Sequence, residues 1–142
     1  MHEVDAAYIA GLFDGEGSVY YKLTKRIRHD RPGKPIHNTW VIRMEIAMTD
    51  KSVLVWLHEV LGCGTVGPRK VKKGNKPQWR WRCSYRDAYY VCKIIWPFAH
   101  VKLDKVQQII DHYTDKELIN NQVINLDHYR MFRRNDDITK KV

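Results

Sequence analysis

Hydrophobic and polar positions alternate along residues 18–28. Ser18, Tyr20, Lys22, Thr24, Arg26 and Arg28 fall on one side, and Val19, Tyr21, Leu23 and Ile27 on the other, with Lys25 interrupting. A period of two predicts a half-buried strand with a basic polar face. Residues 36–49 repeat the pattern, with Trp40, Ile42, Met44 and Ile46 inside and Thr39, Val41, Arg43 and Glu45 outside. The stretch His29–Lys34, with Pro32-Gly33, is the turn of a long hairpin. A third strand is expected over 65–71 and a fourth over 78–85, joined by the turn Lys72-Lys73-Gly74-Asn75. In the fourth, Trp79, Trp81 and Cys83 face inward and Gln78, Arg80 and Arg82 outward.

Elsewhere the period lengthens to that of a helix. Thr49-Asp50 caps a helix over 51–61 whose core face is Val53, Leu54, Leu57, Val60 and Leu61, and Gly62-Cys63-Gly64 ends it. Residues 87–96 read as a second helix stopped by Pro97, and residues 102–113 as a third with Val106, Ile109 and Ile110 on one face. A last short helix is expected over 126–134, with 135–142 as a frayed tail. With a helix at the N-terminus, the order is α-β-β-α-β-β-α-α. The fold class is α+β, in a single domain over residues 1–134.

The N-terminal helix organises the rest. Asp5 is its expected N-cap. Ala7, Ala10, Gly11 and Asp14 form a stripe of small residues, and Tyr8, Ile9, Leu12 and Phe13 cover the other side. Such a helix packs two ways, one of them very close. Asp14 and Glu16 lie at its C-terminus, where the macrodipole disfavours anions. A divalent cation is the obvious offset. Gly15 and Gly17 let the chain leave the helix through conformations closed to other residues.

The run Ile9-Ala10-Gly11-Leu12-Phe13-Asp14-Gly15-Glu16-Gly17, continued by Ser18-Val19-Tyr20, resembles the LAGLIDADG motif of homing endonucleases. The resemblance extends over roughly residues 5–113. It takes in Gly62-Cys63-Gly64-Thr65-Val66 and Pro97-Phe98 followed by Lys102. It implies a half-saddle whose four antiparallel strands form a concave DNA-binding surface. It also implies that motif helices pack side by side, each delivering its second acidic residue to a metal site over the minor groove. Glu16 holds that acidic position, helped by the Gly15 carbonyl. Lys102 holds the position of an active-site lysine five residues after the proline. Met48 stands where family members often carry a water-ordering Gln, so Glu45, Lys51 or water alone would substitute.

Charge points the same way. Residues 17–84 hold fifteen Lys and Arg against four acids, a balance of +11 in a chain whose net charge is +9. The positive field belongs to one segment, the footprint of a polyanion site. Residues 66–82 hold seven basic residues and no acid, and a two-stranded ribbon of this kind fits the major groove. The expected DNA contacts are Ser18, Tyr20, Lys22, Thr24, Arg26, Arg28, Thr39, Arg43, Glu45, Arg69, Lys72, Lys73, Gln78, Arg80 and Arg82. Glu45 is unusual there; it would accept from a cytosine amino group or pair with Arg43.

Only one motif is present, with no repeat at half-length. A C2 homodimer through Ala7, Ala10, Gly11 and Asp14 is therefore expected, on a near-palindromic site. By resemblance the chain is an intron-encoded, site-specific endonuclease that cuts one phosphodiester per strand and leaves 3′ overhangs. Its catalytic residues would be Glu16, Lys102 and Lys51. Its cofactor would be Mg²⁺, with Mn²⁺ able to substitute, and no small-molecule cofactor is implied. The competing reading is a non-catalytic DNA- or RNA-binding protein on the same scaffold, a transcription regulator or an intron maturase. An H-N-H site would need histidines and an asparagine on a hairpin and helix, where His29, His37 and Asn38 do not sit, and a PD-(D/E)xK site and a zinc finger lack their residues. Cys63, Cys83 and Cys92 have no ligand spacing and read as buried thiols in a reducing compartment. No 18-residue apolar run and no signal peptide are visible, so an intracellular location with no membrane partner is expected.

Overall fold

The computed structural model describes residues 1–26 and 37–120. Its elements run α1 (Glu3–Glu16), β1 (Gly17–Arg26), β2 (His37–Met48), α2 (Lys51–Leu61), β3 (Thr65–Arg69), β4 (Gln78–Ser84), α3 (Arg86–Ile95) and α4 (Leu103–Asn120). This is the expected α-β-β-α-β-β-α-α order. Arg28, the 29–34 turn, the helix expected over 126–134 and the tail lie outside the described residues. The chain divides into two units, Met1–Ile110 and Asp111–Val142. The second is described only as the continuation of α4 over residues 111–120. Among the described residues, no helix is long and apolar enough to cross a membrane.

The first unit is built on one antiparallel sheet with strand order β1-β2-β4-β3. Register fixes its two faces, because directly paired residues point the same way. Val19 pairs with Met44 and Tyr21 with Ile42. Met44 in turn pairs with Cys83, and Ile46 with Trp81. This inner face is the core. Ile42, Met44, Ile46, Trp81 and Cys83 are buried against Phe13 of α1, Leu54 and Leu57 of α2, and Val91, Cys92 and Ile95 of α3. Each such side chain contributes about 1.5–3 kcal/mol through burial. Phe13 meets the Trp81 ring edge-on at 5.9 Å.

The inner face empties toward the tip of the hairpin. Met44 is fully buried and Ile42 nearly so, whereas Trp40 is 36% exposed and Leu23 51%. The expectation that Trp40 lies inside is right for its face and wrong for its burial. Tyr21 stacks on its ring at 4.4 Å.

Two glycines carry the α2–β3 corner. Gly62 is left-handed (φ 69°) and its N–H reaches the carbonyl of His58 at 2.8 Å, closing α2 as the sequence anticipates. Gly64 (φ 84°) lies where a Cβ would come within 2.5 Å of the Trp81 indole. That indole donates to the Cys63 carbonyl at 3.1 Å, so the corner is clamped onto the buried tryptophan. Gly17 plays a different part from the one expected. Its backbone is extended (φ −87°, ψ 160°), and a Cβ there would meet Phe13 at 2.5 Å. It permits close approach and supplies no left-handed turn.

Candidate nucleic-acid interface and metal site

Helix α1 begins after His2, which offers no side-chain cap. Asp5 therefore lies inside the helix and is not its cap; with Glu3 it forms an acidic first turn that suits the dipole. The buried positions are Ala6, Ile9, Ala10 and Phe13, spaced as one helical face. The opposite face is open: Val4 is 79% and Tyr8 52% exposed, and Gly11 and Gly15 are exposed between them. A Cβ at Gly11 or Gly15 would meet nothing within 4 Å.

This corrects the expected self-packing stripe. Ala10 is fully buried in its own chain and cannot lie on an open face. The reason is rotational: the core claims positions 6, 9, 10 and 13, which turns Ala7 and Gly11 outward together with Val4 and Gly15. Asp14 is also spoken for. Its carboxylate accepts from the backbone N–H of His100 at 2.8 Å and of Lys102 at 3.0 Å. Lys102 in turn accepts from Val106 N–H at 3.1 Å, so Asp14 holds the entry to α4. The cost of an anion at the C-terminus of α1 is thus offset for Asp14 by two backbone donors of another segment.

Glu16 has no such offset. It is the last residue of α1 and is exposed, with no basic residue in that last turn. Among the described residues it has no hydrogen-bond or ion-pair partner. The bonds of Asp14 bring Lys102 beside the helix end that carries Glu16. The strand register brings Lys51 to the same end of the sheet. Gly17, next to Glu16, pairs with Ile46, and β2 then runs on through Met48 to Lys51, the first residue of α2. Lys51 Nζ lies over the Trp79 ring at 4.3 Å from its centroid, and Trp79 pairs with Met48.

The Glu16 carboxylate and the Gly15 carbonyl are hard oxygen donors, the kind that suits Mg²⁺ or Ca²⁺ and not a soft metal. They fit a divalent cation in type but are too few to hold one alone. No cluster of three or more His, Cys, Asp or Glu exists among the described residues. A second copy across the open face of α1 would double the set.

The outer face of the sheet holds the expected polar residues in register. Ser18 pairs with Glu45, Tyr20 with Arg43, Lys22 with Val41 and Thr24 with Thr39. Glu45 pairs with Arg82 and Ala47 with Arg80, while Arg69 pairs with Gln78. None of the outward residues of these stretches, from Ser18 to Lys22, Thr39 to Ala47 and Gln78 to Ser84, is buried. Lys72 and Lys73 are exposed in the turn between β3 and β4, where Asn75 N–H closes onto the Lys72 carbonyl at 3.1 Å. Arg26 ends β1.

Sequence reasoning missed one feature of this face. Arg82 donates through Nε (3.1 Å) and Nη2 (3.0 Å) to a single oxygen of Glu45. The Arg43 guanidinium lies over Tyr20 at 4.5 Å, with its Nε 3.8 Å from the same oxygen. Glu45 forms the anticipated ion pair with Arg43, at 3.8 Å, but its hydrogen bonds go to Arg82. The pairing of β2 with β4, which the sequence does not give, makes residues 45 and 82 direct neighbours.

No protein-family model matches this chain, and no curated protein does. Solved structures do. The homing endonuclease I-CvuI in complex with its target, in the presence of calcium, superposes with a TM-score of 0.60 at 17% identity, over 77% of this chain and 65% of that one. The archaeal intron-encoded homing endonuclease I-Vdi141I, complexed with DNA, gives 0.57 at 17% identity over 99% of this chain and 85% of that one. The LAGLIDADG meganuclease I-CpaMI, bound to uncleaved DNA, gives 0.54 at 13% identity over 82% of this chain and only 40% of that one. This chain therefore spans about two thirds of the I-CvuI chain and well under half of the I-CpaMI chain. At these identities the likeness establishes the fold: it is that of the LAGLIDADG homing endonucleases.

Proposed function

We propose that this chain is a site-specific DNA endonuclease of the LAGLIDADG kind, working as a C2 homodimer on a long, near-palindromic duplex. The observation that carries the reading is Glu16. It is an exposed carboxylate at a helix C-terminus, without a partner among the described residues, beside an open helix face and at one end of a basic sheet.

Each part has a task. The open face of α1, running Val4, Ala7, Gly11 and Gly15, packs on its copy and brings the two Glu16 carboxylates together. The basic outer face of the sheet follows the groove, with Arg80 and Arg82 toward base edges and Lys72 and Lys73 on phosphates. Glu16 and the Gly15 carbonyl would hold a divalent cation, Mg²⁺ or Mn²⁺. When bound, that cation supplies Lewis-acid stabilisation of the phosphoryl oxygens and lowers the pKa of water. Lys102, fixed through its backbone to Asp14, places positive charge beside the scissile phosphate, where charge develops in the transition state. Lys51, aligned on the Trp79 ring, lies at the same end of the sheet and fills the outer shell that Met48 cannot. Each protomer cuts one strand and leaves a 3′ overhang. The genetic setting that fits such a protein is an intron, in the compartment that holds its target.

The test is a library of supercoiled plasmids carrying randomised palindromic sites, incubated with the protein and Mg²⁺. Linearisation of a sequence-defined subset, suppressed by chelator, supports the reading. Tight binding of a palindrome that is never nicked with Mg²⁺ or Mn²⁺ replaces it with the non-catalytic regulator.

A further inference from the structure

We infer that Glu45 is a positioning residue for base recognition, holding Arg82 so that its free edge reads a guanine in the part of each half-site nearest the cut. The inference rests on the DNA-binding part of the reading above and adds a base and a division of labour to it.

A carboxylate on a DNA-facing surface works against phosphate binding, since it repels the polyanion. Glu45 is also the only acid on its strand, in the segment of the chain that is otherwise most basic. Its geometry accounts for its presence. A guanidinium has five N–H donors arranged in two forks. Arg82 spends its side fork, Nε and Nη2, on one Glu45 oxygen at 3.1 and 3.0 Å. The end fork, Nη1 with the second hydrogen of Nη2, is left pointing away from Glu45. That fork matches the O6 and N7 acceptors of guanine, the commonest specific contact in the major groove.

The clamp removes the freedom that a long side chain otherwise loses on binding. Arginine carries large rotamer entropy, and a pre-oriented fork forfeits less of it per bond formed. Position in the sheet sets which part of the site is read. Glu45 pairs with Ser18, only two residues after Glu16, and with Arg82 on the other side. The clamp is therefore in a row close to the proposed reaction centre, far from the Arg26–His37 end of the two strands. Arg43 is held differently, by the Tyr20 ring beneath it at 4.5 Å. Its Nε is buried without a hydrogen bond among the described residues, at 3.8 Å from the Glu45 oxygen that Arg82 occupies. Glu45 thus keeps two like-charged guanidinium groups side by side on adjacent strands.

The experiment selects duplexes from a pool randomised across the half-site, with the full-length protein and its Glu45→Ala, Glu45→Gln, Arg82→Ala and Arg82→Lys variants. Wild type is expected to demand guanine at one position per half-site, by about 5- to 150-fold over other bases. Arg82→Ala and Arg82→Lys relax that position. Glu45→Ala relaxes the same position while affinity for non-specific duplex stays level or rises, a split that a general loss of structure does not produce. Glu45→Gln retains one acceptor oxygen and keeps most of the selectivity. The double variant Glu45→Ala/Arg82→Ala is no less selective than Arg82→Ala. Replacing that guanine by 7-deazaguanine weakens wild type and leaves Arg82→Ala unaffected. Two results overturn the inference: a guanine preference that survives either single alanine variant, or a cytosine preference that depends on Glu45 and not on Arg82. If wild type enriches no sequence at all, the DNA-binding reading itself falls, and that outcome is distinct from both.

Discussion

The carboxylate of Asp14 accepts the backbone N–H of Lys102 at 3.0 Å, across 88 residues of sequence. With the second bond, from His100 N–H at 2.8 Å, this ties the end of α1 to the start of α4. Of the two acids in the motif, one is thereby structural, and the other is available for chemistry.

Asp14→Ala is expected to destabilise the fold by about 1–3 kcal/mol, since it leaves two backbone donors, the Lys102 one part-buried, without their charged acceptor. Asp14→Asn keeps one acceptor oxygen and loses less. Urea unfolding measures the difference. Cleavage should also fall more than DNA affinity, because Lys102 loses its anchor while the sheet face is untouched. Equal loss in both would place Asp14 among the binding residues.

Gly11 and Ala10 are neighbours in sequence and opposites in the fold. Gly11→Leu projects into open space and leaves the protomer stable while blocking close approach of a second helix. Ala10→Leu overfills a fully buried position and is expected to cost about 1–3 kcal/mol of stability. Sedimentation velocity beside thermal unfolding separates them: Gly11→Leu a folded monomer, Ala10→Leu a destabilised fold. A wild-type protein that binds a half-site as a monomer would remove the dimer altogether.

The three thiols differ in access. Burial pushes the Cys83 and Cys92 thiols far up, and Cys92 also lies against the Met44 sulfur at 3.5 Å. Cys63 is raised more modestly, by burial and then by the charge of Asp87. A raised thiol pKa means less thiolate at any given pH, and thiolate is the reactive form. Iodoacetamide at pH 8 should therefore modify native protein slowly at Cys63 first and spare Cys83 and Cys92. In denaturant all three should react. Peptide mass spectrometry after timed quenching gives the order, and rapid native labelling of Cys92 would contradict the packing described.

Much of this was legible in the sequence. Period-two runs gave β2 and β4 their correct faces, because one side of the sheet is buried against the helices and the other is not. Asp50 and Gly62 bracket α2 where their chemistry says they must, with Asp50 accepting from Ser52 N–H at 3.0 Å. The rotation of α1 was not legible. Ala7, Ala10 and Gly11 are all small, so sequence could not say which of them the core would claim; Phe13 and Ile9 decided it by their packing. Nor could a linear reading place Asp14 against a segment 88 residues away, or show that Glu45 and Arg82, 37 apart, share hydrogen bonds.

The most direct test of the account is strand cleavage by Glu16→Gln, which keeps the shape of the side chain and removes its charge. On a selected palindromic site with Mg²⁺, the wild-type homodimer should cut both strands. The Glu16→Gln homodimer should cut neither, yet bind the site as well as wild type or better, because two like charges no longer face each other at the dimer axis. A mixed dimer with one altered protomer should lose at least one of the two cuts. Full cleavage of both strands by the Glu16→Gln homodimer would contradict the account, and the acid that ends α1 would then have no part in the chemistry.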